Sequence, residues 1–171
     1  DSGVSGQNKS SAASPMSSSE QMSGKFDGIQ AANAEIKAPR GGQASGEVLF
    51  HPGPSQNDMR VRVRLDGVEP GPHGFHIHAG DACWADGEFV AGDHYNPYYK
   101  AHGGPRAEEH HLGDMGNVMA DEEGRIDREL QFGFLAFAGP LSILQRTVVL
   151  HSGEDDLKSQ PSGGAGDPIA C

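Results

Sequence analysis

No stretch of this 171-residue chain approaches the ~20 consecutive apolar residues that a membrane-spanning helix needs, so such a span is excluded. Cationic charge is scarce: 13 Lys and Arg stand against 24 Asp and Glu, a net charge of −11 with His neutral. Nucleic acid wants clustered Lys and Arg, and this surface is a poor match for it. Long uninterrupted helix-forming sequence is also missing, because 25 Gly and 11 Pro leave little room for a helix bundle. Cysteine is limited to two residues while histidine reaches nine. In an acidic, turn-rich chain of one-domain size, that excess is the first pointer to metal chemistry.

Residues 1–24 hold nine serines and a single β-branched residue, Val4. Such a stretch cannot bury enough surface to offset its ordering entropy, so residues 1–32 are read as a disordered Ser-rich tail and 33–171 as one domain. The sequence opens with neither an initiator Met nor an apolar export core, which is read as a start just after a removed export segment.

The clearest strand is Met59–Leu65, where Met59, Val61, Val63 and Leu65 alternate with Arg60, Arg62 and Arg64. A period of two with one apolar and one charged face predicts a half-buried antiparallel strand. Further strands are expected at Glu35–Pro39, Gly46–His51, Gly74–Ala79, Gly116–Asp121, Arg125–Phe132 and Gln145–His151. Asp66-Gly67, Glu69-Pro70-Gly71-Pro72 and Glu123-Gly124 supply turns between them. Together these predict an all-β, immunoglobulin-like Greek-key barrel or sandwich. Two long loops, Gly80–Gly113 and Ser152–Cys171, break the pattern, and their His, Asp, Gly and Pro content favours function over disorder.

Alternation along a strand puts His76 and His78 on one face, with Phe75 and Ile77 free to face the core. That pair reads equally as metal ligands or as solvated, hydrogen-bonded rings. His151 ends another strand and shares a face with Thr147 and Val149. The first long loop carries His94, His102, His111 and Asp114. Three neutral imidazoles and a carboxylate form a closed tetrahedral set of the kind Zn²⁺ prefers; a polar loop that happens to contain histidines is the alternative.

Five collinear segments resemble the copper/zinc superoxide dismutase family over roughly residues 33–171. They are Gly74-Phe75-His76-Ile77-His78, Gly92-Asp93-His94-Tyr95-Asn96-Pro97, His102-Gly103-Gly104-Pro105, His111-Leu112-Gly113-Asp114-Met115-Gly116-Asn117-Val118 and Thr147-Val148-Val149-Leu150-His151. The resemblance implies copper ligands at His76, His78, His94 and His151, and zinc ligands at His94, His102, His111 and Asp114. His94 is then shared, one ring nitrogen per metal, and is the catalytic residue whose nitrogen takes up a proton on reduction. Asp155 resembles the family's carboxylate that orients one histidine of each site, unless it is a solvated acid beside Glu154 and Asp156. His51, His73 and His110 match no ligand position. The resemblance also implies a disulfide between Cys83 and Cys171, rather than two free buried thiols. A persistent disulfide, with the Ser-rich tail, fits an exported location (periplasmic, extracellular or lipid-anchored at the cell surface).

Two departures bear on activity. Family members that dismutate superoxide carry an Arg three residues before the second disulfide Cys, where it docks the anion; here that position is Pro168, preceded by Asp167. Lys158 is the only cation between His151 and Cys171, and Lys158, Lys100 and Arg106 are the candidate substitutes. The sequence also ends at Cys171, where the family usually continues into a final strand that contributes to some homodimers, so pairing of two copies stays open. Two functions are consistent with these features. One is dismutation of superoxide at a reduced rate. The other is a copper- and zinc-binding protein of the same fold, acting as metal buffer, chaperone-like module or scaffold with little turnover.

Overall fold

The computed structural model describes residues 24–171. Two four-stranded antiparallel sheets carry the core. One has the order β1 (Ala32–Lys37), β2 (Ser45–Pro52), β3 (Met59–Asp66), β8 (Ile126–Phe132). The other runs β10 (Pro168–Ala170), β9 (Thr147–His151), β4 (Gly71–His78), β7 (Asp114–Ala120). The chain changes sheet between β3 and β4, between β7 and β8, and between β8 and β9, as in a Greek-key sandwich. A two-stranded hairpin, β5 (Trp84–Ala85) and β6 (Glu88–Phe89), lies in the first long loop. No helix among the described residues is long and apolar enough to cross a membrane.

β3 shows why these residues form strands. Met59, Val61, Val63 and Leu65 are buried in the core, and Arg62 and Arg64 pair outward with Asp127 and Glu129 of the neighbouring β8. Phe75, Ile77, Val118, Val148 and Leu150 meet them from the second sheet. Cys171 exchanges both backbone hydrogen bonds with Lys37, 3.0 Å each, and so joins the two sheets at one margin.

The seven expected strands are present, with ends displaced by at most three residues. β4 begins at Gly71, inside the expected Pro-Gly turn. Pro72 is tolerated there because β9 pairs with β4 only from Phe75 onward, leaving that stretch one neighbouring strand. The two long loops also hold strands that the sequence reading treated as loop, namely the β5–β6 hairpin and β10. Residues 1–23 of the expected tail lie outside the described residues. Phe26, within the segment counted as tail, is buried against Phe137, and the amides of Phe137 and Ala138 donate to Lys25 O.

Candidate metal centre

On β4, Phe75 and Ile77 fill the core, so the alternation of the strand turns His76 and His78 to its other side. That side is covered as well, and β4 is buried on both faces from His73 onward. The covering comes from the two long loops. The first doubles back along the end of β4: Tyr95 N donates to Ile77 O and Ala79 N to Asp93 O. This bridges His78 with His94 and stacks the His94 ring on His76, centroids 3.9 Å apart. β9 lies beside β4 with His76 opposite Val149, and ends on His151.

Two donor sets result. His76, His78, His94 and His151 each bring a ring nitrogen within 4.8 Å of the others. His94, His102, His111 and a carboxylate oxygen of Asp114 do the same. All seven residues are buried.

The hydrogen bonds fix which nitrogen each ring leaves free. His78 Nδ1–H donates to Gly92 O at 2.7 Å and His151 Nδ1–H to Gly166 O at 3.2 Å. Both Nε2 atoms therefore keep their lone pairs, yet they face each other at 3.3 Å. His76 Nε2–H donates to Asp155 Oδ2 at 2.6 Å, which leaves Nδ1 buried without a partner. His94 Nε2 is likewise buried and unpartnered. Buried lone pairs aimed at one another cost free energy unless a cation lies between them, so four nitrogens here suit a copper ion.

The second set has the dimensions of a zinc site. Zinc bonds of 2.0–2.1 Å in a tetrahedron imply donor–donor edges of about 3.3 Å. His94 Nδ1 lies 3.2 Å from His111 Nδ1 and 2.9 Å from Asp114 Oδ1. His102 Nδ1 lies 3.0 Å from Asp114 Oδ2, and His111 Nδ1 lies 3.5 Å from Asp114 Oδ1. Gly103 N and His111 N donate to Asp114 Oδ2 and hold the carboxylate in place.

Burial dominates the electrostatics of the first set. Desolvation pushes His76 down to about 4 and His78 to about 3, and it lowers His151. These rings are neutral at physiological pH and need lose no proton to bind a metal. Burial also acts to raise Asp114 and Asp155, but hydrogen bonds from the histidines outweigh it and hold both well below the ordinary carboxylate range.

Asp155 joins the two sets, because His102 Nε2–H donates to its Oδ1 at 2.8 Å while His76 holds Oδ2. His76, His102 and Asp155 form a third close cluster. Both nitrogens facing the carboxylate are N–H donors, so that cluster is a bridge and not a further metal site. Two amides that sequence reasoning missed support it. Asn117 exchanges hydrogen bonds of 2.9 and 2.7 Å with the Asp155 backbone, and Gln160 exchanges two of 2.8 Å with the His102 backbone. A lone amide, on a strand or in a loop, carries no spacing signal that would have revealed either. Gly163, at φ +82, passes so close that a Cβ would overlap Asp155 Oδ1 and stand 2.6 Å from His102 Nε2.

Other histidines lie outside both sets. His73 bonds the carbonyls of His151 and Glu69, 2.7 Å each, His110 bonds His111 O, and His51 lies on β2 near Pro52 O. Cys83 and Cys171 are joined in a disulfide. Position 168 is the register partner of His151, so Pro168 stands beside the first set. None of the three substitute cations lines the cavity that opens onto His78, His94 and His151. Arg106 lines a separate cleft with Glu129 and Phe132. The cation that does line the cavity is Arg146, which the sequence reading passed over.

A β-sandwich holding two adjacent nitrogen-rich donor sets that share one imidazole defines a binuclear metalloprotein. Residues 44–171 match the family model described as copper/zinc superoxide dismutase (SODC). The chain belongs to that family. It is 41% identical to "Extracellular superoxide dismutase [Cu-Zn]" of Drosophila melanogaster over 136 residues, 75% of this chain and 74% of the relative. Identity to the Onchocerca volvulus protein of the same name is 34% over 155 residues, 85% of this chain and 75% of the relative. To "Superoxide dismutase [Cu-Zn]" of Saccharomyces cerevisiae it is 39% over 135 residues, 74% of this chain and 86% of the relative.

Proposed function

We propose that this chain is an exported dismutase of superoxide, slowed by the loss of its docking arginine. In this reading copper is held by His76, His78, His94 and His151, and zinc by His94, His102, His111 and Asp114. The observation that carries it is His94, whose two ring nitrogens point into different donor sets with Nε2 left without any partner. A merely structural histidine has no use for that arrangement.

When bound, copper supplies one-electron chemistry, oxidising one superoxide to O₂ and reducing a second, which leaves as hydrogen peroxide after gaining two protons. The protein contributes placement. Gly92 O and Gly166 O fix the tautomers of His78 and His151, and Asp155 fixes those of His76 and His102. His94 Nε2 is the nitrogen able to hold a proton between the two half-reactions, while Nδ1 keeps the ring in the zinc set. Export is supported by the Cys83–Cys171 disulfide and by relatives whose names include "Extracellular".

A second reading, a copper- and zinc-binding protein with little turnover, is favoured by Pro168 and Asp167 beside His151. A dismutation assay on metal-loaded protein, alongside Pro168→Arg, separates the two. The proposed dismutase shows turnover above free background, and Pro168→Arg raises it within the ~10–10³ range that focused positive potential provides. A parent at background with a fast Arg variant establishes the binding protein instead. Metal analysis tests the ligands independently. His94→Ala is expected to deplete both metals and His102→Ala mainly zinc; normal copper and zinc in His94→Ala would refute the shared ring.

A further inference from the structure

We propose that Arg146 is the anion-docking cation of this chain, taking small monovalent anions into the cavity beside His78, His94 and His151. The inference rests on the copper-site reading above for its purpose, but its geometry stands apart. The cavity has a volume of about 560 Å³, and four of the seven donor residues, His78, His94, His111 and His151, line it. Among the described residues, Arg146 is the only Lys or Arg in its wall and Asp93 the only Asp or Glu.

Arg146 is held in place before any anion arrives. Its Nε donates to Ser142 O and its Nη1 to Ala79 O, 3.1 Å each, and the guanidinium lies 3.7 Å from the centre of the Tyr95 ring. These partners are carbonyl oxygens and an aromatic face, which orient a guanidinium without neutralising it. Arg60, Arg62, Arg64 and Arg125, by contrast, all face carboxylates. A fixed, uncompensated positive charge in a concave wall raises the local concentration of anions. Arg146 immediately precedes β9 and so reaches the cavity from outside the segment that follows His151.

The test reads anion binding rather than turnover. Azide is titrated into the copper- and zinc-loaded protein and followed by the copper(II) visible spectrum. Chloride-35 NMR line broadening gives a second reading that needs no copper. Arg146→Gln is expected to weaken azide binding about threefold to tenfold and to reduce chloride broadening, the effect of losing one charge near the site. Arg146→Lys should recover much of both. Asp93→Asn, which leaves the Arg146 contacts intact, should strengthen both. Azide affinity and chloride broadening unchanged in Arg146→Gln, with metal content and melting temperature normal, would overturn the proposal. An Arg146→Gln effect that neither Lys restores nor Asp93→Asn opposes would also overturn it, by showing a structural role. Anion binding that responds as expected in a protein without dismutation would instead sink the dismutase reading and leave Arg146 as an anion site.

Discussion

At the scale of single residues, the site depends on groups that never touch a metal. Asp155 accepts one N–H from a histidine of each donor set, so it fixes two tautomers with one carboxylate. Replacing it with Asn keeps the shape but sets an amide N–H where one imidazole N–H must be accepted. Loss of such an orienting partner costs 10–100-fold in metal affinity. Asp155→Asn is therefore expected to weaken copper and zinc together by about that factor, measured by competition with a chromophoric chelator. A loss confined to one metal would show that the bridge is not shared. The proposed ligands were legible in the sequence by spacing, His76 and His78 two apart on a strand and His111 and Asp114 three apart where the first long loop runs into β7, and by the family resemblance. Arg146, Asn117 and Gln160 were not, since each acts through a contact made only after the fold is closed.

At the scale of elements, long alternating runs declared themselves and short ones did not. β3 has eight residues and an unbroken apolar–charged alternation, so its identity follows from period alone. β5 and β6 have two residues each and β10 has three, too few for any period to register. Their existence follows instead from tertiary neighbours: β10 from pairing with β9, and the hairpin from Trp84 packing on Phe89, ring centroids 5.4 Å apart. Phe26 went unread for a similar reason, being a single apolar residue next to a serine-rich stretch. The second loop carries the sharper consequence. Gly163 is at positive φ and against the Asp155 carboxylate, so an alanine there is strained twice over. Gly163→Ala is expected to push Asp155 away from His102 and lower zinc affinity at least tenfold, read by zinc competition, while the two sheets stay folded by circular dichroism. Unchanged zinc affinity would mean that the loop relaxes without moving the carboxylate.

At the scale of the whole molecule, one covalent link connects the site to the margin of the sandwich. Cys83 heads the β5–β6 hairpin, and Cys171 is tied to Lys37 of β1. The bond spans 88 positions of sequence. Closing a loop of that size stabilises by on the order of 4–5 kcal/mol in the chain-entropy model. For a domain of this size each kcal/mol moves the melting temperature by about 2–4 °C, so reduction should lower it by on the order of 10 °C. The measurement belongs on metal-free protein, where metal linkage adds nothing, with thiol formation confirmed. The same hairpin sets Phe89 edge-on against His78, ring centroids 5.4 Å apart. Reduction in the metal-loaded protein should therefore disturb copper before zinc, because His78 belongs only to the first donor set. The expected signature is an altered copper(II) EPR spectrum in Cys83→Ala with zinc content unchanged. Equal loss of both metals would show instead that the disulfide supports the first loop as a whole, His94 included.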